Sequence, residues 1–280
     1  LRRWITLGFV AFLDQCGRGG SFGLPGGGGG GGGDGGTAGE IEAGLAWLAA
    51  NVVLVSVIAA VVLAFAVAFT ALVLWVNSRG VFLYLDDVAT GRAEVARPWR
   101  EHAGHAASYF AWNFGLTMVT LTTVLLFVVG IAAAVLLIVR GRPGSAAIGV
   151  AVIVSLGLAL FAVVLAAMLA SVALRDFVAP LQMATGRSCG DAIRLLGGLL
   201  RAQPWPFALY LLLKLCFTMA LAVVAAIVGC CTCCCGFLPV IAQTILQPGY
   251  YFDRAWPLHL LRRLGFDLVA PPPAMLPPSP

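Results

Sequence analysis

Cysteine is the residue type in this chain that most invites chemistry. Five of its eight cysteines fall within six positions, at Cys230, Cys231, Cys233, Cys234 and Cys235. On a helix Cys230 and Cys234 share a face, as do Cys231 and Cys235. Thiolates in that pattern could hold copper(I) or zinc. A structural zinc site usually takes two separated Cys-x-x-Cys pairs, and this run is contiguous. A disulfide and acylation at a membrane edge are further outlets. Packing as small apolar residues is the reading adopted. His102 and His105 stand three apart beside Glu101, which could place two imidazoles on one helix face. No third ligand is evident unless His259 approaches, so they read as solvated histidines near headgroups. No metal and no cofactor is expected.

Lys214 is the single lysine and the one charge inside a predicted membrane span. It lies about eight residues from the start of that span, close enough for its amine to extend to the interface. A buried polar role is the alternative, since charges within a membrane are functional candidates. Every aspartate and glutamate falls outside the predicted spans, which argues against a proton- or sodium-coupled carrier. No Ser-His-Asp set, paired catalytic carboxylates or phosphate-binding loop is present, so no enzymatic activity is expected. Thr117, Thr120, Thr122 and Thr123 read as helix-packing residues, as do Ala162, Ala166 and Ala170.

Arg187, Arg194 and Arg201 recur every seven residues and so share one helix face. Ser188 can cap that helix with Asp191 three residues on. Leu195, Leu196, Leu199 and Leu200 supply apolar surface, and Pro204 marks the stop. The pattern predicts an amphipathic helix lying in the interface. These arginines are the candidate contacts for anionic lipid headgroups or another membrane protein.

The elements that must position these residues are set by composition. Hydrophobic residues make up 61% and charged residues 10%, where a soluble domain carries about 25% charged. Mean hydropathy is +0.98. Apolar blocks longer than about 18 residues read as membrane spans, and backbone groups in lipid must be satisfied within their own segment, so the spans are helices. Spans are predicted at about 45–76, 109–139, 146–174, 207–229 and 230–252, the last interrupted by Pro239 and Pro248. They make up a bundle over 38–252. Residues 1–16 read as a partial or short first membrane helix, rather than a signal peptide. The chain begins with Leu1, which reads as a fragment or processed product. Thr37 and Glu40 have capping-box spacing, so a helix is expected to start near Ala38. Residues 17–37 include the unbroken tract Gly26 to Gly33, a flexible extracytoplasmic connection. Residues 253–280 form a tail, and its Pro-rich end is expected to be disordered.

Thirteen arginines would share one side of the membrane and three the other. The positive-inside bias puts the rich side, with the C-terminus, in the cytoplasm. The net charge of +5 suits an anionic leaflet. No dense basic stripe with interleaved aromatics appears, so nucleic-acid binding is not expected.

The polar stretches 77–108 and 175–206 resemble each other. Ala89-Thr90-Gly91-Arg92 recurs as Ala184-Thr185-Gly186-Arg187, with Arg79 and Arg175 upstream. Matching positions in the topology point to a duplication with both copies on one side, a parallel repeat. In the first copy Pro98 is expected at a helix N1 position.

Ser78 to Val88, Arg97-Pro-Trp-Arg100, Phe177 to Met183, Pro206 to Lys214 and the cysteine run Gly229 to Gly236 resemble an uncharacterised family of bacterial polytopic membrane proteins. More loosely, the span–elbow–span pattern looks like the membrane domain attached to some bacterial glycerophosphodiester phosphodiesterases, without their catalytic domain. The resemblance implies about six spans and no assigned activity. The expectation is an all-α polytopic transmembrane bundle with interfacial elbow helices in a bacterial plasma membrane. Its partners would be the lipid bilayer, anionic headgroups or another membrane protein. A permease for a small solute or lipid is the alternative.

Overall fold

The computed structural model describes residues 2–15, 47, 50–91, 95–139, 145–231 and 245–268. These residues form helices and short connections, with no strand among them. In chain order the helices are α1 (Arg2–Gln15), α2 (Val52–Thr90), α3 (Ala96–Glu101), α4 (Ala103–Val139) and α5 (Ser145–Ala173). A π-helical turn, Leu174–Val178, carries α5 into α6 (Ala179–Thr185). Then follow α7 (Cys189–Ala202), α8 (Pro204–Cys231) and α9 (Gln247–Arg263). The glycine tract, the start near Ala38, the turn at 140–144, the middle of the fifth predicted span and the tail from 269 lie outside the described residues. So do the side chains of the Cys230–Cys235 cluster.

Four helices are long and apolar enough to cross a membrane: Val52–Thr90, Ala103–Leu136, Ala147–Thr185 and Pro204–Val228. Their most apolar windows are 0 to 6% buried. Val61, Phe65, Leu126, Leu158, Phe161 and Val223 all point outward. Water would drive such a surface to aggregate, whereas acyl chains match it.

Burial is concentrated at the other end of the helices. Val81, Phe82, Tyr109, Phe177, Leu181, Tyr210 and Leu261 pack into one core, and Val10, Leu83, Tyr84, Leu85 and Leu258 into a second. Helix α1 lies against α2 at Gly80, where an added Cβ would sit 2.6 Å from the backbone nitrogen of Asp14. Only glycine allows that approach. Helix α9 packs into both cores through Leu258 and Leu261. Pro248, expected to break a span, instead sits in the first turn of α9, where its missing N–H has no intrahelical partner to lose.

Two sequence expectations need correction. The stretches 77–108 and 175–206 are not polar loops from their first residues: α2 runs on to Thr90, and the third long helix to Thr185. Asp86, Asp87 and Asp176 therefore stand on helices of span length. Continuing the helix keeps backbone hydrogen bonds within the segment, and partners from other helices meet the charges. Pro98 is the third residue of α3, which starts at Ala96, rather than the first.

Candidate functional site

Six charged side chains meet where the apolar shafts give way to the packed end. Asp14 comes from α1, Arg175 and Asp176 from the π turn, Lys214 from α8, and Asp253 and Arg254 from α9. Asp14, Asp176 and Arg254 are 0% exposed, Arg175 5% and Lys214 9%. The Arg175 guanidinium grips Asp14 through two nitrogens, Nε at 3.0 Å from Oδ2, and donates through Nη1 to Asp253 at 3.1 Å. Lys214 Nζ lies 2.7 Å from Asp253 Oδ1 and 2.8 Å from Asp176 Oδ2. Tyr210 donates its hydroxyl to Asp176 at 2.9 Å. Arg254 donates to the carbonyls of Arg175 and Val81 at 2.8 and 3.0 Å and stands 3.8 Å from Asp176 Oδ1. Three carboxylates face three cations, so the layer is neutral as a whole.

The π turn contributes to this arrangement. The N–H of Ala179 bonds the carbonyl of Leu174 five residues back, so the carbonyl ladder is locally widened. Arg254 takes up the carbonyl of Arg175 within that turn. Beside the layer, Asn77 donates its amide to the Asp14 carbonyl at 2.6 Å, and Gln247 to the Tyr84 hydroxyl at 3.0 Å. Desolvation makes buried ion pairs poor sources of net stability, but removing one partner is costly. Removing any one partner would leave a buried charge uncompensated.

Its depth follows from helix rise. Residues 52–76 of α2 span about 37 Å and α5 about 43 Å, each enough for a hydrocarbon core of roughly 30 Å. The layer lies at the end of those shafts, not at their middle.

Sequence reasoning found Lys214 but not its partners. The structure pairs its ammonium with Asp176 and Asp253. The missed residues left a signal. Asp14 closes the apolar run Trp4 to Leu13, and Arg175-Asp176 and Asp253-Arg254 each place opposite charges side by side at the edge of an apolar block.

The arginine helix is α7, which carries Arg194 and Arg201; Arg187 precedes the N-cap Ser188 and lies outside the helix, so the three do not share one helix face as expected. Ser188 accepts from the Asp191 N–H at 3.3 Å and donates its hydroxyl to the Asp191 carboxylate at 2.7 Å. The Cys189 N–H reaches Ser108 Oγ at 3.0 Å, tying the helix start to α4. Cys189, Ala192 and Leu196 are buried, while Arg187, Arg194 and Arg201 are exposed. Burial pushes the Cys189 thiol up to about 12. Trp112 lies beside Gly190 near one end of α7, and Trp205 follows the other; both are exposed. Tryptophans in such positions are typical of a membrane interface.

The first elbow differs. Arg97 pairs with Asp86 at 2.6 Å and Glu101 at 2.8 Å. Arg79 lies between the rings of Trp75 and Trp99, 5.6 and 5.5 Å from their centroids. His102 and His105 are half-buried against Phe82 rather than free in solvent, with His102 3.5 Å from Asp86. His259 is exposed on α9, and no group of three metal-type ligands occurs among the described residues. The turns that precede the elbows match. Gly91 and Gly186 are left-handed, at φ 68° and 66°, and Thr90 and Thr185 each donate to the carbonyl four residues back. Thr117, Thr120 and Thr123 bond back in the same way.

Span-length helices joined by short elbows and closed at one end by a neutral charge layer define an all-helical protein of membrane type. The chain belongs to a family of unknown function, DUF7544, whose model matches residues 1–252. No curated protein and no solved structure matches it.

Proposed function

We propose that this is a non-enzymatic integral membrane protein that binds anionic lipid headgroups, or a membrane partner, through the face carrying α7. The observation that carries the reading is the exposed pair Arg194 and Arg201 on a helix whose opposite face is buried, with exposed Arg187 just before its N-cap. Arginines near a membrane surface attract anionic lipid by about 1 kcal/mol each. The arginine bias argues for a cytoplasmic packed end and C-terminus, and the family resemblance for a bacterial plasma membrane.

The test is a titration of the detergent-solubilised protein with mixed micelles of phosphatidylglycerol or phosphatidylcholine at two salt concentrations. The expected result is tighter, salt-sensitive binding to phosphatidylglycerol, weakened in Arg187→Gln/Arg194→Gln/Arg201→Gln by roughly fivefold per arginine. Equal binding of both lipids, or indifference to the triple substitution, would reject the reading.

The matched Thr-Gly turns favour a second reading, a permease built from parallel repeats. Two features weigh against it. The charges at the helix junction are paired with one another, and two hollows between the described helices are lined mainly by apolar side chains. Solute flux from protein-containing vesicles above that of empty ones would revive it.

A further inference from the structure

Beneath α7 lies a groove of about 630 Å³ that the charge layer does not use. Its walls are Trp112, Gly115 and Val119 from α4 and Ala170 and Leu174 from the third long helix; Ile193 of α7 forms the roof. That size falls within the roughly 300–1,000 Å³ of small-ligand sites. Small residues keep it open: a Cβ on Gly115 would meet nothing within 4 Å. Val119 and Trp112 are 67% and 50% exposed, so the groove is continuous with the outward-facing shaft.

What marks the occupant is the change of chemistry across one residue. Ile193 lines the groove, and Arg194, about 100° further round the helix, is exposed and stands 3.5 Å from Asp191. Arg201 lies one heptad on along the same helix, and Arg187 stands just before its N-cap. An apolar slot beside a helix that also carries exposed arginines complements a molecule with an acyl chain and a negative headgroup.

We propose that this groove holds one acyl chain of a single anionic phospholipid, with its phosphate on Arg194 and the flanking arginines. The proposal rests on the lipid-binding reading above and adds a defined, one-to-one site to it.

Native mass spectrometry from mild detergent, with phosphatidylglycerol or phosphatidylcholine added, tests it. The expected spectrum shows one retained phosphatidylglycerol per chain. Gly115→Phe, which fills the groove, should reduce that adduct at least tenfold while leaving salt-sensitive binding to anionic micelles intact. Unchanged retention in Gly115→Phe would overturn the groove and leave the surface reading standing. Equal retention of both lipids by the unaltered protein would overturn both. A second measurement needs no variant: phosphatidylglycerol with a photoreactive acyl terminus should label residues 111–119 and 170–174. Labelling spread along all four shafts, or a second copy of the chain covering the groove, would overturn the proposal.

Discussion

The two halves of α2 have opposite fates. Val52 to Val76 contains no charged residue and faces outward almost throughout. Asn77 to Ala89 carries Arg79, Asp86 and Asp87 and is almost wholly buried. In a water-soluble protein the assignment would be reversed, because apolar surface is what water expels. Here the apolar half needs no protein partner, since lipid is an equally good solvent for it. The polar half needs partners that lipid does not provide, and it finds them on α1, α3 and α9. Side-chain specificity is therefore concentrated in the polar end, and the shafts are held chiefly to being apolar and helical.

Substitutions at the two ends should separate this contrast. Arg175→Met should have the largest effect, because it leaves Asp14 without its guanidinium and Asp253 with Lys214 alone. Loss of about 3–5 kcal/mol is expected, read as a lower melting temperature of the solubilised protein. A melting temperature equal to that of the parent would mean the layer contributes nothing. Leu126→Arg, on the exposed shaft of α4, should cost roughly 2.5–3.5 kcal/mol of insertion; the readout is the fraction of chain integrated into membranes. Leu126→Val at the same place should change neither measurement. Gly80→Leu should separate α1 from α2 at a cost of about 1–3 kcal/mol, with faster amide exchange over residues 6–14. The smallest effect concerns Cys189. With its thiol at about 12, almost no thiolate exists at pH 8, and alkylation needs the thiolate. Peptide mapping after iodoacetamide treatment at pH 8 should find Cys189 unmodified until the protein is unfolded. Raising the pH toward 12 should increase its labelling.

Particular residues show how much could be read in advance. The spans were legible because a run such as Val52 to Val76 has one physical outcome in any fold. Helix α7 was legible because the Ser188 cap, Asp191 and the apolar spacing act within one helix, although the arginine repeat overran its start at Arg187. Lys214 was flagged as a charge in an apolar block, but its two carboxylate partners are 38 and 39 residues away in the chain. Asp14 and Arg175 are separated by 161 positions, and no local pattern joins them.

Hydropathy and periodicity, which are properties of neighbouring residues, determined that this chain forms apolar helices of membrane length with an arginine-bearing amphipathic elbow. Only the tertiary structure decided that six charges from four parts of the chain neutralise one another, and that a groove opens beneath the elbow. Pairing and cavities depend on distances between helices, which no single segment encodes.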